Sequence, residues 1–192
     1  MSFKDVALGN DLTTSSGHNN WKLGRQDIVA KIIIHPGFNI DTLDNDAALL
    51  QMRSPIVMTD SIRPITLTEI GQEPVAYSPA IITGWGDVKE NANNGSLYLR
   101  GAIVPVIGRN FCRGLNSGLY TSVNDNMFCA GYIDGGVDTC TGDSGGPIID
   151  MEANQIGITS WGIGCGREHA PGIYTRIGAS SIRNFINVQT GV

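Results

Sequence analysis

No apolar run in this chain approaches the ~18 residues that a membrane-crossing helix needs, and no stretch concentrates Lys and Arg. Charge is scarce altogether, at 16% of residues. It tilts acidic, with 13 Lys and Arg against 18 Asp and Glu and a net charge of −5. Nucleic acid and anionic membrane surfaces recruit clustered cations, so neither is an expected partner. Cysteine is also sparse. Cys112, Cys129, Cys140 and Cys165 include no C-x-x-C pair, and of the three histidines His18 and His35 lie far from them while His169 is a lone neighbour of Cys165, so no zinc site is expected. The opening "MSFKDVALGN" has neither a basic start nor an apolar core, so it does not read as a signal peptide.

Apolar residues make up 41% of the 192, enough for a packed core, and 25 glycines suggest many turns. Short β-branched runs recur between turn residues: 27–38, 79–86, 97–108, 126–132, 146–150, 155–162 and 172–177. This pattern predicts an all-β sandwich or barrel. Only the end reads as a clear helix. In "SSIRNFINV" (180–188), Ile182, Phe185 and Ile186 share one face and the serines are available as N-cap. A shorter helical turn is expected in "GRNFCRGL" (108–115). An even cysteine count without metal spacing favours two disulfides and an oxidising compartment, and three pairings are open.

The densest chemical signal is "DTCTGDSGGPI" (138–148). Glycines around Ser144 let the chain turn tightly and keep backbone N–H groups free. The amides of Gly142 and Ser144 could hold an oxyanion, and Gly145 and Gly146 leave room for a substrate carbonyl. A lone G-x-S-x-G is as readily a plain turn, but the longer GDSGGP string is far more specific.

This stretch resembles the active-site serine loop of the chymotrypsin-like (trypsin-fold) serine proteases. The likeness continues in family order through "HPGFNIDTLDNDAALLQM" (35–52), "ITGWG" (82–86), "MFCAGY" (127–132), "SWGIGCG" (160–166) and "PGIYTRI" (171–177). It implies two antiparallel β-barrels and a C-terminal helix. It also implies one protease domain over 1–192, lacking its N-terminal segment, with a partial first barrel over about 1–75 and the second barrel and helix over about 76–192. Position by position, it makes Ser144 the nucleophile and Asp46 the carboxylate that orients a histidine. Asp138 becomes the base of a pocket for a substrate Lys or Arg, with Gly162 and Gly172 as its walls. Ser160, Trp161 and Gly162 become the strand that pairs with an extended substrate. Leu43 and Trp161 fall beside neighbouring subsites, or in ordinary core. The implied disulfides are Cys112–Cys129 and Cys140–Cys165. The implied partners are proteins or peptides with Lys or Arg at P1, together with protein protease inhibitors, in a secreted setting.

The sequence departs from the family in two places. None of His18, His35 and His169 stands in the family's Ala-Ala-His-Cys context. "MSFKDVALGN" resembles the stretch just after that histidine, so the base is expected outside this chain. The family also buries a freshly cut N-terminal ammonium beside the aspartate before the serine, which is Asp143. With no such terminus here, Asp143 is expected to lack a partner and to swing out, raise its pKa or disorder the pocket. The stretch matching the family's calcium loop (9–21) has no glutamate, so neither calcium nor another cofactor is expected. A non-catalytic homologue acting as a binding or regulatory module is the alternative reading. A third is a piece that does not fold stably alone.

Overall fold

The computed structural model describes residues 12–192. The "MSFKDVALGN" segment, and with it the likeness to the stretch after the histidine, lies outside the described residues, as do the first residues of the calcium-loop match.

Strands β1 (Thr13–Ser16), β2 (Arg25–Ile34) and β3 (Ala48–Met52) form an open antiparallel sheet in the order β1-β2-β3. One face of it is solvated, with Ile28 38% and Leu50 48% exposed. The short β4 (Thr66–Leu67) leads into the second half of the chain, where it pairs in parallel with the edge of a larger sheet. That sheet contains β5 (Pro79–Gly84), β6 (Arg100–Ile107), β7 (Met127–Ala130), β8 (Pro147–Ile149), β9 (Asn154–Trp161) and β10 (Gly172–Arg176). The order β10-β7-β6-β5-β8-β9 closes on itself through β10–β9 pairing, so these six strands make a barrel.

The apolar runs in the sequence become these barrel strands because alternate residues face inward. Ala80, Ile82, Val104, Val106, Phe128, Ile148 and Tyr174 fill one cluster. There the Phe128 and Tyr174 rings stack with centroids 5.5 Å apart. β10 is buried along its whole length. Tyr174 points into that cluster, while its neighbour Ile173 packs into another with Tyr120, Met127 and Cys129. Helix α1 (Arg109–Arg113) delivers Cys112 to this second cluster, where it bonds Cys129 with Cα atoms 6.4 Å apart. The other disulfide is Cys140–Cys165, at 5.2 Å between Cα atoms. Both pairings are those the resemblance implies.

Helix α2 (Ser180–Thr190) buries Ile182, Phe185 and Ile186 as its spacing predicts. Its capping differs from expectation. Ala179 holds the N-cap position, and no side chain bonds the first-turn amides. Ser181 instead turns inward and donates to Asn45 Oδ1 at 2.6 Å. The helix packs on Ala47, Ile177 and Ala179, with Ile33 and Leu49 from the open sheet and Ile158 from the barrel. It thereby clamps the segment around Asp46 between the two sheets. Among the described residues, no helix is long and apolar enough to cross a membrane.

Candidate active site

Asp46 sits at the end of the connection from β2 to β3. Asn45 has φ of +53°, and the Ala47 amide donates back to the Asn45 carbonyl at 2.8 Å. This tight turn carries Asp46 to the barrel. Ser160 Oγ on β9 donates to Asp46 Oδ2 at 2.6 Å, and Thr175 Oγ1 on β10 donates to the Asp46 carbonyl at 2.8 Å. Two adjacent barrel strands thus hold Asp46, β9 by its carboxylate and β10 by its backbone carbonyl.

Ser144 is exposed in the loop between Cys140 and β8. The loop's backbone is tightly bonded. Asp143 N donates to Cys140 O at 2.9 Å, Gly146 N to Asp143 O at 2.8 Å, and Gly145 N to Thr159 O at 2.9 Å. Among the described residues, the amides of Gly142 and Ser144 have no acceptor, so two free donors flank a used one. Gly142 has φ of +96°, a conformation that any side chain would strain.

Asp143 is not left without a partner, contrary to expectation. Gly86 N donates to its Oδ1 at 2.8 Å and Cys140 N to its Oδ2 at 2.9 Å. Backbone donors satisfy the carboxylate because Gly84 and Gly86 carry no side chain. A Cβ on either glycine would overlap it. Asp143 also lines a cavity of about 250 Å³ with Gly86, Asp87 and Arg100.

A second cavity, of about 310 Å³, is lined by Asp138, Ser144, Ser160, Trp161, Gly162 and Gly172. Six residues singled out from sequence therefore share one space. Gly172 must be small: a Cβ there would lie 2.8 Å from Asp138 Oδ1 and 3.1 Å from the Tyr174 hydroxyl. Asp138 accepts from Thr139 N at 2.8 Å and from Gly166 N at 3.0 Å. Burial nonetheless pushes its carboxyl up from 3.8 to about 6, the two amides pull against that, and the neighbouring Asp143 charge adds to it. Trp161 does two jobs. It lines the cavity, and it packs on the second core cluster, stacked on Tyr120 at 5.7 Å between centroids. Leu43 is half-buried, takes φ of +54° and does not line the cavity.

Among the described residues, no histidine hydrogen-bonds Asp46 or Ser144. His35 is buried; it accepts from Gly37 N at 3.0 Å through Nδ1 and meets Ser181 through Nε2 at 3.2 Å. It ties the end of β2 to α2. His18 is an exposed loop residue accepting from Asn20 N at 2.9 Å, and His169 is exposed with φ of +56°. Sequence reasoning missed the Ser160–Asp46 bond, the Thr175 bond, and Glu90, which also lines the cavity. The two bonds join residues 114 and 129 positions apart, and no local signal announces them.

A family model described as Trypsin matches residues 4–186. A trypsin of Simulium vittatum is 41% identical over 160 residues, covering 83% of this chain and 64% of that protein. A trypsin of Phaedon cochleariae is 37% identical over 184 residues, covering 95% of this chain and 69% of that protein. A vitellin-degrading protease of Bombyx mori is 38% identical over 159 residues, covering 83% of this chain and 58% of that protein. The chain thus spans about two thirds of the length of these relatives. With its closed barrel, its serine loop and these similarities, the chain belongs to the trypsin family of chymotrypsin-like serine proteases.

Proposed function

We propose that the protein is a serine endopeptidase that cleaves peptide bonds after Lys or Arg through an acyl-enzyme. The observation that carries this reading is the cavity with an exposed Ser144 and a half-buried carboxylate, Asp138, on its lining. A narrow slot with an acidic base selects a long cationic side chain, and pairing with a guanidinium or ammonium would offset the burial of Asp138. Ser144 Oγ attacks the carbonyl that follows that side chain. Its proton passes to an imidazole, which returns it to the leaving amine, and water then releases the acyl group. The free amides of Gly142 and Ser144 suit the oxyanion that forms. Asp46, fixed by Ser160, would orient the imidazole, and the Ser160–Gly162 edge would pair with the substrate backbone. Asp143 would trade its backbone partners for an N-terminal ammonium on activation.

The imidazole is the one part without a candidate among His18, His35 and His169, and we place it in chain beyond these 192 residues. The 192 residues alone should then be nearly inactive, since losing a triad member costs on the order of a millionfold in kcat. Two disulfides fit an oxidising, extracellular setting. The same want of a histidine on Asp46 supports a second reading, a non-catalytic homologue that binds without turnover.

The test is a peptide-library digest by the full natural protein after proteolytic activation, read by mass spectrometry. Cleavage confined to bonds after Lys and Arg, and lost in Ser144→Ala, is expected. No cleavage would favour the binding module, and cleavage after other residues would refute the assignment of Asp138.

A further inference from the structure

The rim of the serine cavity carries a charge pair that the mechanism above does not use. Glu90 comes from the loop between β5 and β6, and Arg167 from the loop between β9 and β10. Arg167 donates to both carboxylate oxygens of Glu90, with Nε 2.9 Å from Oε2. Glu90 lines the same cavity as Asp138 and Ser144. The Arg167 guanidinium lies over Gly164, another lining residue, where a Cβ would overlap it.

Exposed ion pairs are usually weak and mobile, because long side chains must be held still. Here both loops are pinned. Asp87 accepts from the amides of Asn93, Asn94 and Gly95 at 2.8, 2.9 and 2.7 Å, and its own amide bonds Thr141 O at 2.9 Å. On the other side, His169 N bonds Ile133 O at 2.7 Å and Gly136 N bonds Gly166 O at 2.8 Å. The Gly166 amide, next to Arg167, donates to Asp138 itself. The pair is therefore held in register with the cavity base. The Arg167 guanidinium, helped by the Cys165 amide, holds the Glu90 carboxyl below the usual range, so Glu90 is charged throughout the neutral range.

We infer that Glu90 and Arg167 set the strength with which the cavity takes a cationic side chain: Glu90 is an outer carboxylate whose charge Arg167 cancels. This rests on the reading of the cavity as a Lys/Arg site. Without Arg167 the incoming cation meets two carboxylates, Glu90 and Asp138. Without Glu90 it meets an uncompensated guanidinium at the rim. The two losses act in opposite directions, whereas a pair that merely stapled the loops would weaken binding whichever partner was lost.

The probe is 4-aminobenzamidine, a small fluorescent amidinium that needs no catalytic step, titrated into the full natural protein. Arg167→Gln should tighten binding and Glu90→Gln weaken it, each by about threefold to tenfold at low salt, with both effects shrinking near ~0.5 M salt. Arg167→Lys, which keeps the charge, and the double variant E90Q/R167Q should both stay near wild type. Shifts of the two single variants in the same direction, or no shift, would overturn the inference while leaving the cavity reading intact. Wild-type protein that ignores the probe would overturn the cavity reading and this inference with it.

Discussion

Replacing Asp138 with asparagine separates the cost of burying its charge from the hydrogen bonds it accepts. In the folded chain burial moves the carboxyl from 3.8 to about 6. Above pH 6 the group is ionised in both folded and unfolded chains, and the full cost of holding the charge in the cavity is present. Below the unfolded value of 3.8 both states are protonated and that cost is gone, so this residue makes the protein less stable as pH rises through the window from 3.8 to 6. A shift of roughly two units at about 1.36 kcal/mol each sets a ceiling of about 3 kcal/mol, and partial solvent access lowers it to about 1–2 kcal/mol. Asparagine keeps the shape but loses one of the acceptors for Thr139 N and Gly166 N, which costs about 1 kcal/mol at every pH. Asp138→Asn should therefore be less stable than wild type near pH 4 and equal to it or more stable near pH 8. Urea unfolding of both proteins across that range, followed by tryptophan fluorescence, measures the difference directly. A stability of the variant relative to wild type that stays flat, or becomes less favourable to the variant, as pH rises from 4 to 8 would refute the argument.

Gly172→Ala should push Asp138 out of place, because the new Cβ would lie 2.8 Å from Asp138 Oδ1 and 3.3 Å from Thr139 Oγ1. A loss on the order of tenfold to a hundredfold in kcat/KM toward Lys and Arg substrates is expected, with cooperative melting retained. Opening Cys140–Cys165 in the double variant C140A/C165A releases a loop of sequence separation 25, and calorimetry should find a loss of about 3.5 kcal/mol.

The barrel was legible in the sequence because its strands are β-branched runs ended by Gly, Pro or Asn, and α2 because three apolar residues fall on one face. The open sheet was harder to read. β1 is Thr-Thr-Ser-Ser, with no apolar alternation, and β3 begins in the apolar run that reads as a flank to Asp46. The helix cap failed because two serines in a row offer a cap, and the chain spends one on a contact with Asn45 instead. Within the site, the glycine-rich string around Ser144 was legible in itself, and the resemblance it carries pointed to Asp138. What spacing could not carry was contact at long range. The Asp143 carboxylate finds Gly86, 57 residues away, so a residue that reads as stranded is satisfied. Glu90 and Arg167 meet across 77 residues and reveal themselves only when the loops are folded together.

One reagent addresses the nucleophile and the pocket at once. A diphenyl phosphonate bearing an amidine side chain phosphonylates an activated serine only when its cation is seated beside it. In the activated full natural protein, peptide mapping should find one adduct, on Ser144, lost in Ser144→Ala and much reduced for a phosphonate with a neutral side chain. An unmodified protein, an adduct on another residue, or equal labelling by the neutral reagent would contradict the account.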